Sequence, residues 1–374
     1  MTGAAPRLID HHVHGVVTGD LGQPGLEALL TEAHDPPAPG TSMFDSPLGF
    51  AIRRWCAPVL DLEPSAPAGE YTSRRAELGT AEVNRRFLRA ADVDAWLVDT
   101  GYQADRILTP AQLAEASGTP AHEIVRLEAV AEEVARGGAT AAGFAAAFAA
   151  ALGRATRSAV GLKSIVAYRF GLDFEAGRPA QAEVAAAAGR WLADIGAGAA
   201  VRLTDPVLIR HVIWAGVDTR LPLQFHVGFG DPDVRLHRAD PSLLHDFLAL
   251  TRPLVTPIML LHCYPHHRQA GYLASVFPHV YMDVGEALNH VGARSAAVLA
   301  EALELTPFHK MLYSSDAFGL PELHYLGALR FRQGFAQITR GLVAGGEWRA
   351  RDAERVGELI GSGNARRVYR LGQE

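Results

Sequence analysis

Cysteine is scarce: Cys56 and Cys263 are the only two in 374 residues, far apart and outside any metal-knuckle or redox spacing. This excludes a disulfide framework and a zinc ribbon, and it fits a reducing, cytoplasmic setting. Charge of one sign is scarce too. Lys and Arg number 35 against 41 Asp and Glu, and no basic block occurs, so the electrostatic footprint of nucleic-acid binding is missing. Long apolar runs are absent as well. The Ala-rich stretch at 139–152 is too short for a membrane span and is ended by Gly153 and Arg154. The N-terminus meets Asp10 directly after Leu8 and Ile9, without the charged and apolar regions of a signal peptide. What remains is a small-molecule substrate as the expected partner, no nucleic acid, no membrane, and nothing against a homo-oligomer.

Hydrophobic residues make up 48% of the chain, enough to bury a large core. Eight short apolar runs have strand character, at 8–14, 95–100, 124–128, 160–167, 221–227, 258–263, 280–285 and 310–316. Helical segments such as 129–151, 181–196, 206–216 and 243–251 lie between them. Eight strands alternating with helices predict a single α/β domain over the whole chain, a (β/α)8 TIM-like barrel. The first two runs are separated by about 80 residues, far more than a βα loop needs. Residues 15–94 are therefore expected to form a helical cap insertion over the C-terminal face, with loop at Pro36, Pro37, Pro39 and Gly40, helix over 71–91, and Trp55 as a buried aromatic anchor.

Alternate residues of a strand share a face, so Asp10, His12 and His14 point together. A lone His-x-His pair is weak evidence of a metal, and a single strand-end histidine is as readily a hydrogen-bonded core group. The recurrence is more informative. The fifth run ends in His226, the sixth in His262 and the eighth in Asp316, and barrels keep their active sites at the C-terminal ends of strands. Imidazoles with a carboxylate suit a divalent metal, zinc first, with manganese, iron or nickel as alternatives. Asp10, one layer deeper, is placed to orient a ligand.

The Ile-Asp-His-His-Val-His opening, His226, His262 and Ser-Ser-Asp316 together resemble the amidohydrolase superfamily over nearly the whole chain. The narrower resemblance is to the amidohydrolase-related branch that includes amino-carboxymuconate-semialdehyde decarboxylase. Within that branch it is to the amidohydrolase portion of nodulin/FluG-type glutamine synthetase fusions, carried by residues 161–169, 262–268 and 270–274. The glutamine synthetase half has no counterpart, so no ligase activity is implied. The resemblance opens two versions of the site. In one, a single ion is held by His12, His14, His226 and Asp316, and His262 polarises substrate. In the other, a carboxylated Lys163 bridges two ions, with His226 and His262 serving the second. A salt-bridged or neutral structural lysine is the rival role for Lys163.

Asp316 is the expected proton shuttle, and in the single-ion version His262 is the stabiliser of developing oxygen charge. Arg126 and Glu128, read as one face of the third run, Arg169 after the fourth, and His267 after the sixth are the candidate substrate-binding residues. Paired arginines suit a carboxylate, while an internal Arg126 to Glu128 charge pair is the structural alternative. The resulting expectation is a metal-dependent hydrolase acting on a C–N bond of a small carboxylated amide or cyclic amide. A metal-dependent non-oxidative decarboxylase and a catalytically silent regulatory barrel are the alternatives.

Overall fold

The computed structural model describes residues 5–372. Among these described residues seven strands are formed: β1 Leu8–Val13, β2 Val93–Asp99, β3 Ala121–Arg126, β4 Gly161–Ser164, β5 Leu223–Val227, β6 Ile258–His262 and β7 Val280–Met282. They are parallel and follow one another in chain order. Every residue of β1, β4, β5 and β6 is buried, as expected for parallel strands covered on both faces, which explains their nearly continuous apolar runs. The fold is a (β/α)8 barrel with a helical insertion after the first strand. The eighth position is taken by residues 311–316 without a regular ladder. This segment runs beside β1 through the bonds His11 N–H to Tyr313 O and Asp316 N–H to His12 O, each 3.2 Å.

The chain divides into two compact units, one containing residues up to His122, Gly230–Pro232 and residues from Asp283 onward, the other Glu123–Phe229 and Asp233–Met282. In the first, β1 and β2 pair, and the large buried side chains include Phe44, Tyr71, Phe87, Trp96, Tyr313 and Phe331. In the second, β3 to β7 pair in succession, and Phe247 packs against Phe174, Trp214 and Phe225 at 5.5–5.6 Å between ring centroids. That aromatic group closes the space between β5 and its outer helices.

The long interval between β1 and β2 is helical, as expected, but the helix read over 71–91 is two helices, Ala68–Leu78 and Thr80–Ala90. Gly79 breaks it with a φ of +75°, a conformation open to glycine. Thr80–Ala90 packs on the helices Pro110–Ser117 and Pro321–Ala344, as an outer barrel helix does. Trp55 is half-buried between Arg54 and Arg330, whose guanidinium carbons lie 4.9 and 5.7 Å from its ring. The insertion is tied down by a buried charge group. Arg75 Nε and Tyr71 Oη donate to the same Glu322 oxygen at 2.7 and 2.9 Å, with both members of the Arg75–Glu322 pair almost wholly out of solvent. Removing one partner strands a buried charge, so Arg75→Ala is expected to cost about 3–5 kcal/mol of stability in a urea titration. Arg75→Met combined with Glu322→Leu should recover most of that loss.

Candidate metal centre

Four ionisable residues stand in the first strand region, and each finds a different partner. His11 points away from its neighbours, with Nε2 3.0 Å from Asp283 Oδ2 and Nδ1 3.0 Å from Tyr369 Oη, which makes it a structural histidine. Asp10 accepts the Ser315 N–H at 3.0 Å, and burial pushes its carboxyl up to about 7. Its role is thus to hold the backbone beside Asp316. His12 in β1 and His14 just after it both turn Nε2 toward Asp316 Oδ1, at 3.0 and 3.6 Å. His14 Nδ1 lies 3.1 Å from Asp99 O at the end of β2, which fixes the ring. The ligand atoms of His12, His14 and Asp99 all lie within 4.8 Å of one another. Asp316 has a left-handed φ of +49°, uncommon for a residue with a side chain and concentrated at functional sites. Gly285 is required beside this segment, since a Cβ there would stand 2.0 Å from Ser314 Oγ.

A second set of strand-end residues stands on β4, β5 and β6. Lys163 is buried on β4, in register with Arg126 of β3 and Gln224 of β5. His226 is the penultimate residue of β5, with Nδ1 3.3 Å from Tyr168 Oη and Nε2 2.9 Å from Phe229 O. The tautomer consistent with both contacts donates Nε2–H to the carbonyl and accepts the tyrosine hydroxyl. The His262 ring lies 4.8 Å from that of His226, centroid to centroid. His262 and Cys263 both carry positive φ, +67° and +56°, so the backbone turns sharply where β6 delivers its histidine. Gly228 permits the adjoining loop, because a Cβ there would meet Tyr264 O at 2.2 Å.

The candidate substrate residues fall differently from their sequence reading. Arg126 closes β3, but Glu128 lies in the helix Leu127–Arg136, so the two do not share a strand face. Glu128 is buried and accepts Ser164 Oγ–H at 2.6 Å and Ile165 N–H at 3.0 Å, and burial raises its carboxyl above the ordinary range. It therefore clamps the end of β4. Arg169 sits in a short helix, Val166–Arg169, and pairs with Glu132 at 3.0 Å. His267 is buried and stacks on Tyr264 with ring planes 5° apart, a support for the loop after β6.

Two strand-end acids escaped the sequence reading. Asp99 and Asp283 follow apolar runs as Asp316 does, so the same positional rule points to them. A third group, Glu32, Glu286 and His290, brings its ligand atoms within 4.8 Å of one another. Burial and the nearby Asp231 push Glu32 up to about 7, and burial holds His290 down to about 4. Glu32 lies in an irregular part of the insertion where no periodicity marks it.

The family model described as Amidohydrolase matches residues 9–371. A protein from Lactobacillus casei with the working description of a metal-dependent hydrolase is 30% identical, with 99% of this chain and 96% of that chain covered at a TM-score of 0.86. Uronate isomerase from Bacillus halodurans shares the fold at 12% identity and a TM-score of 0.65, covering 98% and 93% of the two chains. Protein fluG of Emericella nidulans is 30% identical over 230 residues, 59% of this chain, and the matched region spans about a quarter of fluG (26%). The strand-end imidazoles and carboxylates thus stand on a chain that belongs to the amidohydrolase family.

Proposed function

We propose that this protein is a metal-dependent hydrolase that cleaves a C–N bond, amide or cyclic amide, of a small carboxylated substrate. The observation that carries this reading is the convergence of His12 Nε2 and His14 Nε2 on Asp316 Oδ1, with all three side chains largely buried. Two imidazoles and one carboxylate are a donor set that catalytic zinc sites use, and manganese, iron and nickel accept the same atoms. His226 is the proposed fourth ligand, releasing Phe229 O to serve. Lys163 and His262 are the residues that would take part in a second ion's site in the bridged version.

A divalent ion held there supplies Lewis-acid chemistry, acidifying water and polarising a carbonyl. The chain supplies the rest. Asp316 accepts the proton of the attacking water and returns it to the leaving nitrogen, and its placement is kept by the backbone bonds at Ser315 and Asp316. His262 is the proposed donor to the oxygen on which charge develops. Asp99 O restrains His14, and Tyr168 Oη restrains His226, so both imidazoles are oriented before substrate arrives.

Elemental analysis of protein purified without chelators should find about one divalent ion per chain, with His12→Ala losing at least the roughly 10–100-fold in affinity typical of outer ligand changes. Lys163→Ala should leave the metal content unchanged. A content near two that falls in Lys163→Ala transfers the proposal to the bridged site, and absence of metal from the wild type refutes the hydrolase reading in favour of a silent barrel. In a substrate screen scoring amine and carbon dioxide release, amine should appear. His262→Asn should then lower kcat by about 10²–10³-fold with metal retained. Carbon dioxide without amine would make the enzyme a decarboxylase.

A further inference from the structure

The short helix Val166–Arg169 borders a cavity of about 330 Å³, within the size range of small-ligand sites. Its lining is strongly basic: Arg169, Arg202, Arg235 and Arg238, with Asp233 as the one acid among them. Most of these charges are partly answered. Arg202 pairs with Asp233 at 2.8 Å, and Arg238 pairs with Asp173 at 2.7 Å while lying 4.5 Å over the Phe170 ring. Arg235 is exposed and has no ion pair among the described residues. Arg169 is the most informative of the four. Its side chain is only 10% exposed, Nη2 is held by Glu132 at 3.0 Å, and Nε and Nη1 are buried without a hydrogen-bond partner. A guanidinium edge left unsatisfied inside a protein costs free energy that a bound anion would recover.

Tyr168 shares the wall of this cavity, and its hydroxyl reaches His226 Nδ1 at 3.3 Å. The cavity and the proposed metal ligand are thus separated by one tyrosine side chain. We infer that this cavity is the subsite for the carboxylate of the substrate, gripped by Arg169, Arg202 and Arg235, so that the enzyme acts on acidic amides. Arginine suits the task because its planar fork matches two carboxylate oxygens at once. Arg238, locked by Asp173 and Phe170, forms a fixed wall. The role in catalysis rests on the hydrolase reading above, whereas the binding of the anion does not.

The test uses the full-length, metal-analysed protein and calorimetric titration with three probes: glutarate, the uncharged glutaramide, and inorganic phosphate. Glutarate should bind, and glutaramide should bind at least about tenfold more weakly, as expected for loss of hydrogen bonds to a charged group. Arg235→Gln, at an exposed position that the fold does not depend on, and Arg202→Gln should each weaken glutarate by about tenfold with unchanged circular dichroism and metal content. Equal affinity for glutarate and glutaramide, or wild-type glutarate affinity in both variants, overturns the assignment. Phosphate bound in preference to glutarate overturns the carboxylate class. Glutarate binding that depends on these arginines in protein lacking metal would uphold the subsite while removing the hydrolase reading, so the two fail separately.

Discussion

Asp10, His11, His12 and His14 are buried within five residues, three in β1 and the last just after it, and water cannot satisfy any of them. Each must be met by a protein group, and the first unit is arranged around that demand. Asp10 takes the Ser315 N–H, His11 takes Asp283 and Tyr369, and His12 and His14 take Asp316. The partners come from the end of β7, from residues 313–317 and from the C-terminal helical region. Those segments are brought to β1 by side-chain need as much as by backbone pairing. The absence of a regular ladder along 311–316 follows, since its backbone bonds to β1 are interrupted where side chains take over.

The same economy holds in the second unit, where buried polar groups close strand ends. Glu128 accepts from Ser164 and Ile165, His226 is held between Tyr168 and Phe229, and His262 is delivered by a backbone in the left-handed region. Strain of this kind persists only where surrounding packing over-determines it. Packing supplies that here, through the fully buried β5 and β6 and the aromatic group around Phe247. Rigid surroundings of this sort suit a site whose ligands must be aligned in advance.

Much of the site was legible because parallel strands leave a simple signature. A polar residue at the C-terminal end of an apolar run stands out, and that rule singles out His12, His14, His226, His262 and Asp316 as the candidates proposed above. Applied without exception it would have added Asp99 and Asp283. It failed for Glu128, because two residues of error in where β3 ends, at Arg126 rather than 128, move a side chain from strand to helix and change what it faces. Arg169 was seen, but its partner Glu132 and its neighbours Arg202 and Arg235 were not, since they lie tens of residues away in segments with no shared period.

Sequence alone therefore determined the alternation of strands and helices, the family to which the chain belongs, and the residue types able to hold a metal. These depend on local periodicity and on positions along single strands. Tertiary structure decided which of those residues meet: that Asp10 serves Ser315, that His11 is structural, that His12 and His14 converge on Asp316, and that four arginines surround one cavity. Such pairings are set by long-range packing and by the cost of burying unsatisfied charge, neither of which has a spacing that can be read along the chain.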